Sequence, residues 1–357
     1  MPSHICRITE HGVSAGNCLV EVDGTRAPAC RATLKYENGQ PHRLVTSIHL
    51  SRPENYLSIY QSGCNFSCRK CHSWYFSKIK NGTWYTPEDI LKDAIDYEKS
   101  VTLTEPREKS TAWHAHDTCR CCGSCVLYGR RSNGCPGILG PESIVLGPQG
   151  FGPVRNIAAF TGGDLICNPE FYGECARLIH QHTRLWVLIE TNGYGLTPDH
   201  LDYLQASGVD AFWLDIKAYD DDTHQWLTGC SNQAILKLPE EILQRDFVLE
   251  VLSLYIPSLV EADALENIAR RLKDVDAGIP FTILAFFPEY RMKDFRSPTV
   301  TEMIEAYRRV KKVGLKNIRL GNVGVFAPTE ADQKQLMGSV DQGAVCYSEI
   351  LSLIHLS

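Results

Sequence analysis

The chain contains no apolar run approaching about 18 residues, so nothing in it reads as a membrane span. Its first residues, Met1-Pro2-Ser3-His4-Ile5-Cys6-Arg7, lack a basic region followed by an apolar stretch, and a signal peptide is therefore not expected. Basic charge is not in excess either. Against 42 acidic residues stand 36 Lys and Arg, a formal charge of -6, whereas a nucleic-acid binder needs clustered Lys and Arg for the phosphates. These absences point to a cytoplasmic protein that binds neither membrane nor nucleic acid. What remains is an ordinary globular composition, 43% hydrophobic and 22% charged, in 357 residues. That length suits about two domains or one α/β barrel.

The unusual number is 15 cysteines, too few for a disulfide scaffold of this length and odd in count. Three fall in 64–71 and five in 119–135. In a reducing compartment, close cysteines more often hold metal than form disulfides. The other seven, Cys6, Cys18, Cys30, Cys167, Cys175, Cys230 and Cys346, are scattered, and for most of them the expectation is a small buried hydrophobe.

Residues 1–53 read as a β-rich N-terminal segment with turns at Asp23-Gly24 and Asn38-Gly39. From residue 54 onward, short apolar runs alternate with helical patterns, as in βα units. Strands are expected at 56–61, 156–161, 186–190, 211–216, 247–252 and 281–286, with a seventh possible at 317–320. Amphipathic helices are clearest at 259–272 and 300–312, the second opened by Thr299 or Thr301 with Glu302 in its first turn. The fold class is thus α/β, a partial or complete six-unit βα barrel over 54–320, whose functional residues gather at the C-terminal strand ends. Residues 101–153 interrupt the rhythm and are too long for a βα connection, so they form a Cys-rich insertion. Residues 321–357 are a C-terminal extension.

The first expected strand runs into Gly63-Cys64-Asn65-Phe66-Ser67-Cys68-Arg69-Lys70-Cys71-His72, a C-x3-C-x2-C spacing. An iron-sulfur cube ordinarily takes four cysteines and a structural zinc four ligands. With three thiolates one iron keeps an open position; zinc with His72 as fourth ligand is the alternative. Cys64-Asn65-Phe66-Ser67-Cys68-Arg69-Lys70-Cys71-His72-Ser73-Trp74 resembles the cluster loop of the radical S-adenosylmethionine superfamily, particularly its glycyl-radical-activase-like branch. The resemblance implies a [4Fe-4S] cluster on Cys64, Cys68 and Cys71 whose open iron is chelated by S-adenosylmethionine, and a low-potential electron donor. It also implies reductive cleavage to a 5'-deoxyadenosyl radical. One departure is Lys70, where the family usually has an aromatic residue near the adenine; His72 matches a His often found after the third cysteine.

Further motifs follow in the family's order. Phe160-Thr161-Gly162-Gly163-Asp164 is similar to the Gly-Gly-Glu segment that receives the methionine ammonium, with Asp164 one carbon shorter. Glu190-Thr191-Asn192-Gly193 and Leu214-Asp215-Ile216-Lys217 resemble the branch's Thr-Asn-Gly and Asp-Ile-Lys segments. By that resemblance Thr191, Asn192, Asp215 and Lys217 lie near the cofactor, with Lys217 suited to its carboxylate. The plainer reading of Lys217 is a rim salt bridge with Asp215 or Glu190.

Within the insertion, Cys119, Cys122, Cys125 and Cys135 are spaced for a four-thiolate site for iron, zinc or an auxiliary cluster. Cys121 can replace Cys119, with His114 or His116 as outside candidates. Two features favour a protein substrate: no further nucleotide or sugar fingerprint exists, and an aromatic, basic stretch spans Ala285–Arg296. Phe287-Pro288-Glu289-Tyr290-Arg291-Met292 and Asn317–Phe326, with the insertion, resemble a group of methanogen radical enzymes that modify methyl-coenzyme M reductase. That likeness implies methylation of a glutamine Cα in the reductase's catalytic subunit, with cobalamin as methyl carrier and a second S-adenosylmethionine recharging it. The chain has no room for an N-terminal Rossmann-like cobalamin domain and lacks an Asp-x-His-x-x-Gly loop, so cobalamin has to bind without a protein imidazole, with residues 321–357 as its contact. A glycyl-radical activase without methyl transfer is the alternative, and a non-enzymatic metal-loop adaptor the third reading.

Overall fold

A computed structural model describes residues 6–345 apart from Asn133. Cys346 and the end of the C-terminal extension, 346–357, lie outside the described residues. Among the described residues fourteen strands occur in chain order: β1 (Leu19–Val22), β2 (Thr25–Pro28), β3 (Leu34–Glu37), β4 (Gln40–Ser51), β5 (Tyr56–Gln61), β6 (Thr83–Tyr85), β7 (Val145–Gly147), β8 (Gly150–Gly152), β9 (Ile157–Gly162), β10 (Trp186–Thr191), β11 (Ala211–Asp215), β12 (Val248–Tyr255), β13 (Phe281–Ala285) and β14 (Ile318–Gly321).

The main sheet has the order β14-β13-β12-β11-β10-β9-β5-β4-β3, with β6 paired to β4. From β5 to β14 every pairing is parallel, while β4 joins β5 antiparallel. The described strands therefore form an open, partial barrel of α/β type, with all seven expected strands in place. Residues 34–51 are continuous with this sheet, and β1 pairs with β2 as a separate hairpin. Parallel strands are covered on both faces, which explains why β9 reads as an unbroken apolar run with five of its six residues buried.

Helices on the outer face begin where the sequence places polar caps. The helix Val300–Val313 is capped by Thr299 in a reciprocal box with Glu302, so Thr299 rather than Thr301 is the start signal. Thr86 and Asp89 do the same for Pro87–Glu98. The expected helix at 259–272 begins later, at Ala262, because Ile256 and Val260 first close a bridged turn.

The inner face is finished by the insertion. Tyr56, Ile157, Ala159, Leu188 and Ala211 form a small inner cluster against which Ala112 packs. Next to it, the Trp113 N–H donates to Glu250 Oε2 (2.7 Å), and the Arg319 guanidinium lies 4.0 Å from the Trp113 ring centre. Arg155, fully buried at the start of β9, donates to Glu105 Oε2 (2.5 Å) and to the carbonyls of Lys109 and Thr111. Residues 105–119 thus plug the end of the barrel from which the strands start.

A buried charge stripped of its partner costs about 3–5 kcal/mol. Arg155→Ala leaves Glu105 without its cation and unties the plug, so it should lower unfolding free energy by about that amount in denaturant titration. A loss below about 1 kcal/mol would show that the plug is not held this way.

Candidate active site

At the other end of the sheet, β5 and β9 leave side by side and their exit loops are pressed together. Gly162 sits at φ +86°, and a Cβ at Gly163 would stand 2.3 Å from the Gly63 carbonyl oxygen and 2.6 Å from that of Gln61. Only glycine admits this approach. It is closed by Gly163 N–H to Gln61 O (2.8 Å) and Asn65 N–H to Asp164 O (2.9 Å). The loop after β5 is tied on its far side by Ser67 N–H to Thr228 O and Arg69 N–H to Leu227 O, both 2.8 Å, and by Lys78 Nζ to Phe66 O.

Held this way, Cys64, Cys68, Cys71 and His72 face a cavity of about 250 Å³, opposite Gly162, Asp164, Thr191, Asn192, Asp215 and Lys217. Gly163 lies behind the wall rather than in it. The insertion cysteines are elsewhere: Cys121 Sγ accepts from Asn55 Nδ2 (3.3 Å), and Asn55 immediately precedes β5. The six-residue β5 therefore separates the two cysteine groups by about 20 Å. Cys125 is within electrostatic reach of Cys119, Cys122 and Cys135, Cys122 Sγ lies 3.1 Å from Ser132 Oγ, and Cys135 Sγ is 3.7 Å from Arg131.

Donors surround the sulfurs of the first group. Cys64 Sγ accepts from Phe66 N–H (3.4 Å) and Asn192 Nδ2 (3.7 Å), and Cys71 Sγ is 3.1 Å from Ser77 Oγ. Burial raises the thiols of Cys64 and Cys68 above their ordinary pKa, and the nearby ammonium groups of Lys78 and, for Cys68, Lys217 oppose it. Among the described residues no three His, Cys, Asp or Glu side chains converge on one point as a single ion requires. A cube binds its thiolates at separate corners, so spacing around a void suits a cluster better than an ion.

Asp164 braces the floor. Its Oδ1 accepts from Ile166 N–H, and Oδ2 from Thr191 Oγ1 and Asn192 N–H, all at 2.8 Å. A carboxylate offers about four acceptor sites, so about one remains for a ligand's ammonium group. Burial raises the Asp164 pKa and these hydrogen bonds oppose the rise. Asn192 is aimed by its Nδ2 donating to Asn65 Oδ1 (2.8 Å) and its Oδ1 accepting from Tyr194 N–H (2.9 Å). Lys217 pairs with Asp215 rather than Glu190. Burial works against the Lys217 charge, but Asp215 and the neighbouring thiols more than offset it and keep the ammonium ionised.

Three buried polar atoms in the wall have no hydrogen-bond partner: Lys70 Nζ, Asp215 Oδ1 and Trp213 Nε1. Such atoms call for a ligand, and one carrying both an ammonium and a carboxylate matches both signs. Lys70, 8% exposed, has its ammonium 3.3 Å from the Phe287 ring centre, and burial lowers its pKa to about 8. Lys70 itself lies against the rings of Phe286 and Phe287, which follow β13. The sequence marks Glu190 as the start of a motif and as an alternative partner for Lys217. It lies in the wall, accepting from Tyr56 Oη (2.7 Å) and Thr161 Oγ1 (2.5 Å), and burial pushes its pKa up to about 8.

Comparison with known proteins finds that residues 121–266 match the family model of the Radical SAM superfamily. A Methanocaldococcus jannaschii protein with the provisional name glycyl-radical enzyme activating enzyme is 33% identical over 135 residues, 37% of this chain and 49% of that protein. The chain thus spans about half the length of this curated relative. Solved structures with partial likeness include a domain of pyruvate-formate lyase-activating enzyme from Bacteroides vulgatus (17% identity, TM-score 0.40, 46% of this chain and 98% of that one). Another is SuiB from Streptococcus suis (11% identity, TM-score 0.46, 80% and 51%). No helix among the described residues is long and apolar enough to cross a membrane.

Glu190, half-buried in the cavity wall and holding its proton to about pH 8 against an ordinary 4.5, costs stability as pH rises between those values, because the unfolded chain releases the proton first. Glu190→Gln should flatten the fall of melting temperature across that range, read by thermal scans at successive pH values. Parallel profiles for the two proteins would contradict the assignment. The segment that matches the Radical SAM superfamily model contains Gly162, Gly163, Asp164, Thr191, Asn192, Asp215 and Lys217.

Proposed function

We propose that the chain is a radical S-adenosylmethionine enzyme that removes a hydrogen atom from carbon in a protein substrate. The observation that carries this reading is the shared cavity of Cys64, Cys68 and Cys71 with Asp164, Asn192, Asp215 and Lys217. When bound, a [4Fe-4S] cluster on the three thiolates and S-adenosylmethionine at its open iron would supply the 5'-deoxyadenosyl radical, given one electron from a low-potential donor. The chain's own residues hold and orient. Asn192 and the Phe66 N–H offset charge on the Cys64 sulfur. Asp164 keeps about one acceptor site for the ammonium, and Lys217, held charged by Asp215, meets the carboxylate. Gly162 keeps that part of the wall bare, His72 stands at its rim against the Phe287 ring, and Thr191 fixes Asp164. Leu252 and Leu284 keep the floor apolar.

The substrate class rests on the relative's name, which describes an enzyme acting on a glycyl-radical enzyme. Carried to this chain, it makes a Gly Cα–H the bond that breaks, the hydrogen passing to the adenosyl carbon and a carbon radical staying on the protein. A second reading is cobalamin-dependent methylation of the glutamine Cα in methyl-coenzyme M reductase. It is favoured by a flat aromatic surface: Trp74 and Tyr290 stack at 5.3 Å and 11° in the wall of a groove of about 340 Å³ that also includes Ser67 of the cluster loop. None of the described residues of the extension, 321–345, lines the main cavity. For the insertion, the reading is a second metal on Cys119, Cys122, Cys125 and Cys135, supported by their mutual nearness.

Anaerobically reconstituted protein given dithionite and S-adenosylmethionine should release 5'-deoxyadenosine, and Cys68→Ala should release none; a wild-type protein that releases none rejects the enzyme reading. With added cobalamin and a glutamine peptide, a one-methyl mass gain with S-adenosylhomocysteine would establish the second reading, and failure to bind corrinoid would remove it. Cys122→Ala should lower metal content by about one site while deoxyadenosine formation persists. Unchanged metal content would refute the insertion site.

A further inference from the structure

Four cysteines far apart in the sequence, Cys6, Cys18, Cys30 and Cys167, line one small cavity of about 30 Å³, with Asn65 and Asn168 between them. All four are free thiols. Each comes from a different piece of local structure. Cys6 precedes the helical turn Arg7–Glu10, Cys18 precedes β1, Cys30 lies in the turn Ala29–Ala32, and Cys167 follows the Gly-Gly-Asp loop. The pieces are tied together by Ala29 N–H to Cys18 O (2.8 Å), and Cys167 Sγ accepts from Asn168 Nδ2 (3.3 Å). Cys30 is within electrostatic reach of Cys18 and Cys6, and Cys167 of all three.

Cys167 belongs to the hydrophobic core and Cys6, Cys18 and Cys30 pack against it, but packing does not account for the void the four share. Only Cys167 is buried, at 4% exposure, while Cys6, Cys18 and Cys30 are half-buried. Close-packed interiors leave few voids, and these thiols surround one instead of filling it. Four soft donors with an amide N–H directed at one sulfur match a tetrathiolate metal centre, whose ligands and second-shell donors are of these types.

We infer that Cys6, Cys18, Cys30 and Cys167 form a tetrathiolate metal centre separate from both cysteine clusters of the sequence. It takes a single thiophilic ion, zinc or iron, once the four thiols close inward on the void. Its place is defined by Asn65, which lines this cavity and follows Cys64, so the centre lies directly behind the cluster loop, whereas the insertion cysteines are at the far end of the sheet.

The test uses the full chain, purified and reconstituted anaerobically, with iron, acid-labile sulfide and zinc counted per chain. Cys18→Ser/Cys30→Ser should lose about one zinc or one iron per chain relative to wild type, with acid-labile sulfide unchanged. The control Cys175→Ser, in the helix Glu170–His182 and outside the cavity, should lose none. Deoxyadenosine formation is followed alongside, so a failed radical reaction is distinguishable from a missing centre. If the double variant does not fold, Cys30→Ala is titrated with cadmium after metal removal, and its thiolate-cadmium absorbance should fall by the share of one site. Unchanged iron and zinc in a folded double variant, or unchanged cadmium absorbance in Cys30→Ala, overturns the inference.

Discussion

The site depends on one close backbone approach. Gly163 lies so near the Gln61 and Gly63 carbonyls that no side chain fits, and two hydrogen bonds, Gly163 N–H to Gln61 O and Asn65 N–H to Asp164 O, lock the exits of β5 and β9 together. Everything chemical is referred to that contact. It sets the loop of Cys64, Cys68 and Cys71 against Asp164, and Asp164 in turn grips Thr191 and Asn192 at the end of β10. Asn192 returns the grip through Asn65 and Cys64. Three strand ends are thus coupled through a single carboxylate and two glycines. Parallel strands in register deliver their ends to one rim, which is why short segments separated by dozens of residues can build one cavity.

The two ends of the sheet have different tasks. At the strand C-termini a cavity carries unpaired polar atoms of both signs, Lys70 Nζ and Asp215 Oδ1. At the strand N-termini Arg155 is matched by Glu105, and Arg107 by Asp210 and Asp246. The interior between them is not wholly apolar, because Glu250 is buried and Glu190 half-buried there, both with raised pKa values. Burial of that kind costs free energy and is tolerated where donors such as Tyr56, Thr161 and Trp113 are fixed in advance. The insertion provides one of those donors, so its first part serves the barrel while its cysteines remain outside.

Much of this was legible in the sequence because it is local. The strands at 56–61 and 186–190 appear as runs of apolar residues, and Thr299 with Glu302 announces a helix start. The motifs around Gly162, Thr191 and Lys217 could be placed at strand ends by counting alone. What remained hidden depends on distant segments. Cys6, Cys18, Cys30 and Cys167 have no common spacing, and only the fold brings them to one void. The rings that Lys70 contacts, Phe286 and Phe287, lie more than 200 residues later in the chain. The depth of Glu190 was hidden for the same reason: a motif names the residue, but burial depends on what closes over it.

The central claim is that three thiolates leave one iron of a cluster open to S-adenosylmethionine beside Asp164 and Lys217. Electron paramagnetic resonance of the reduced, reconstituted chain, with and without S-adenosylmethionine, addresses it most directly. The account predicts a reduced [4Fe-4S] signal that changes shape when S-adenosylmethionine is added and is missing from Cys68→Ala. A wild-type signal unaltered by S-adenosylmethionine, or one that persists unchanged in Cys68→Ala, would contradict it.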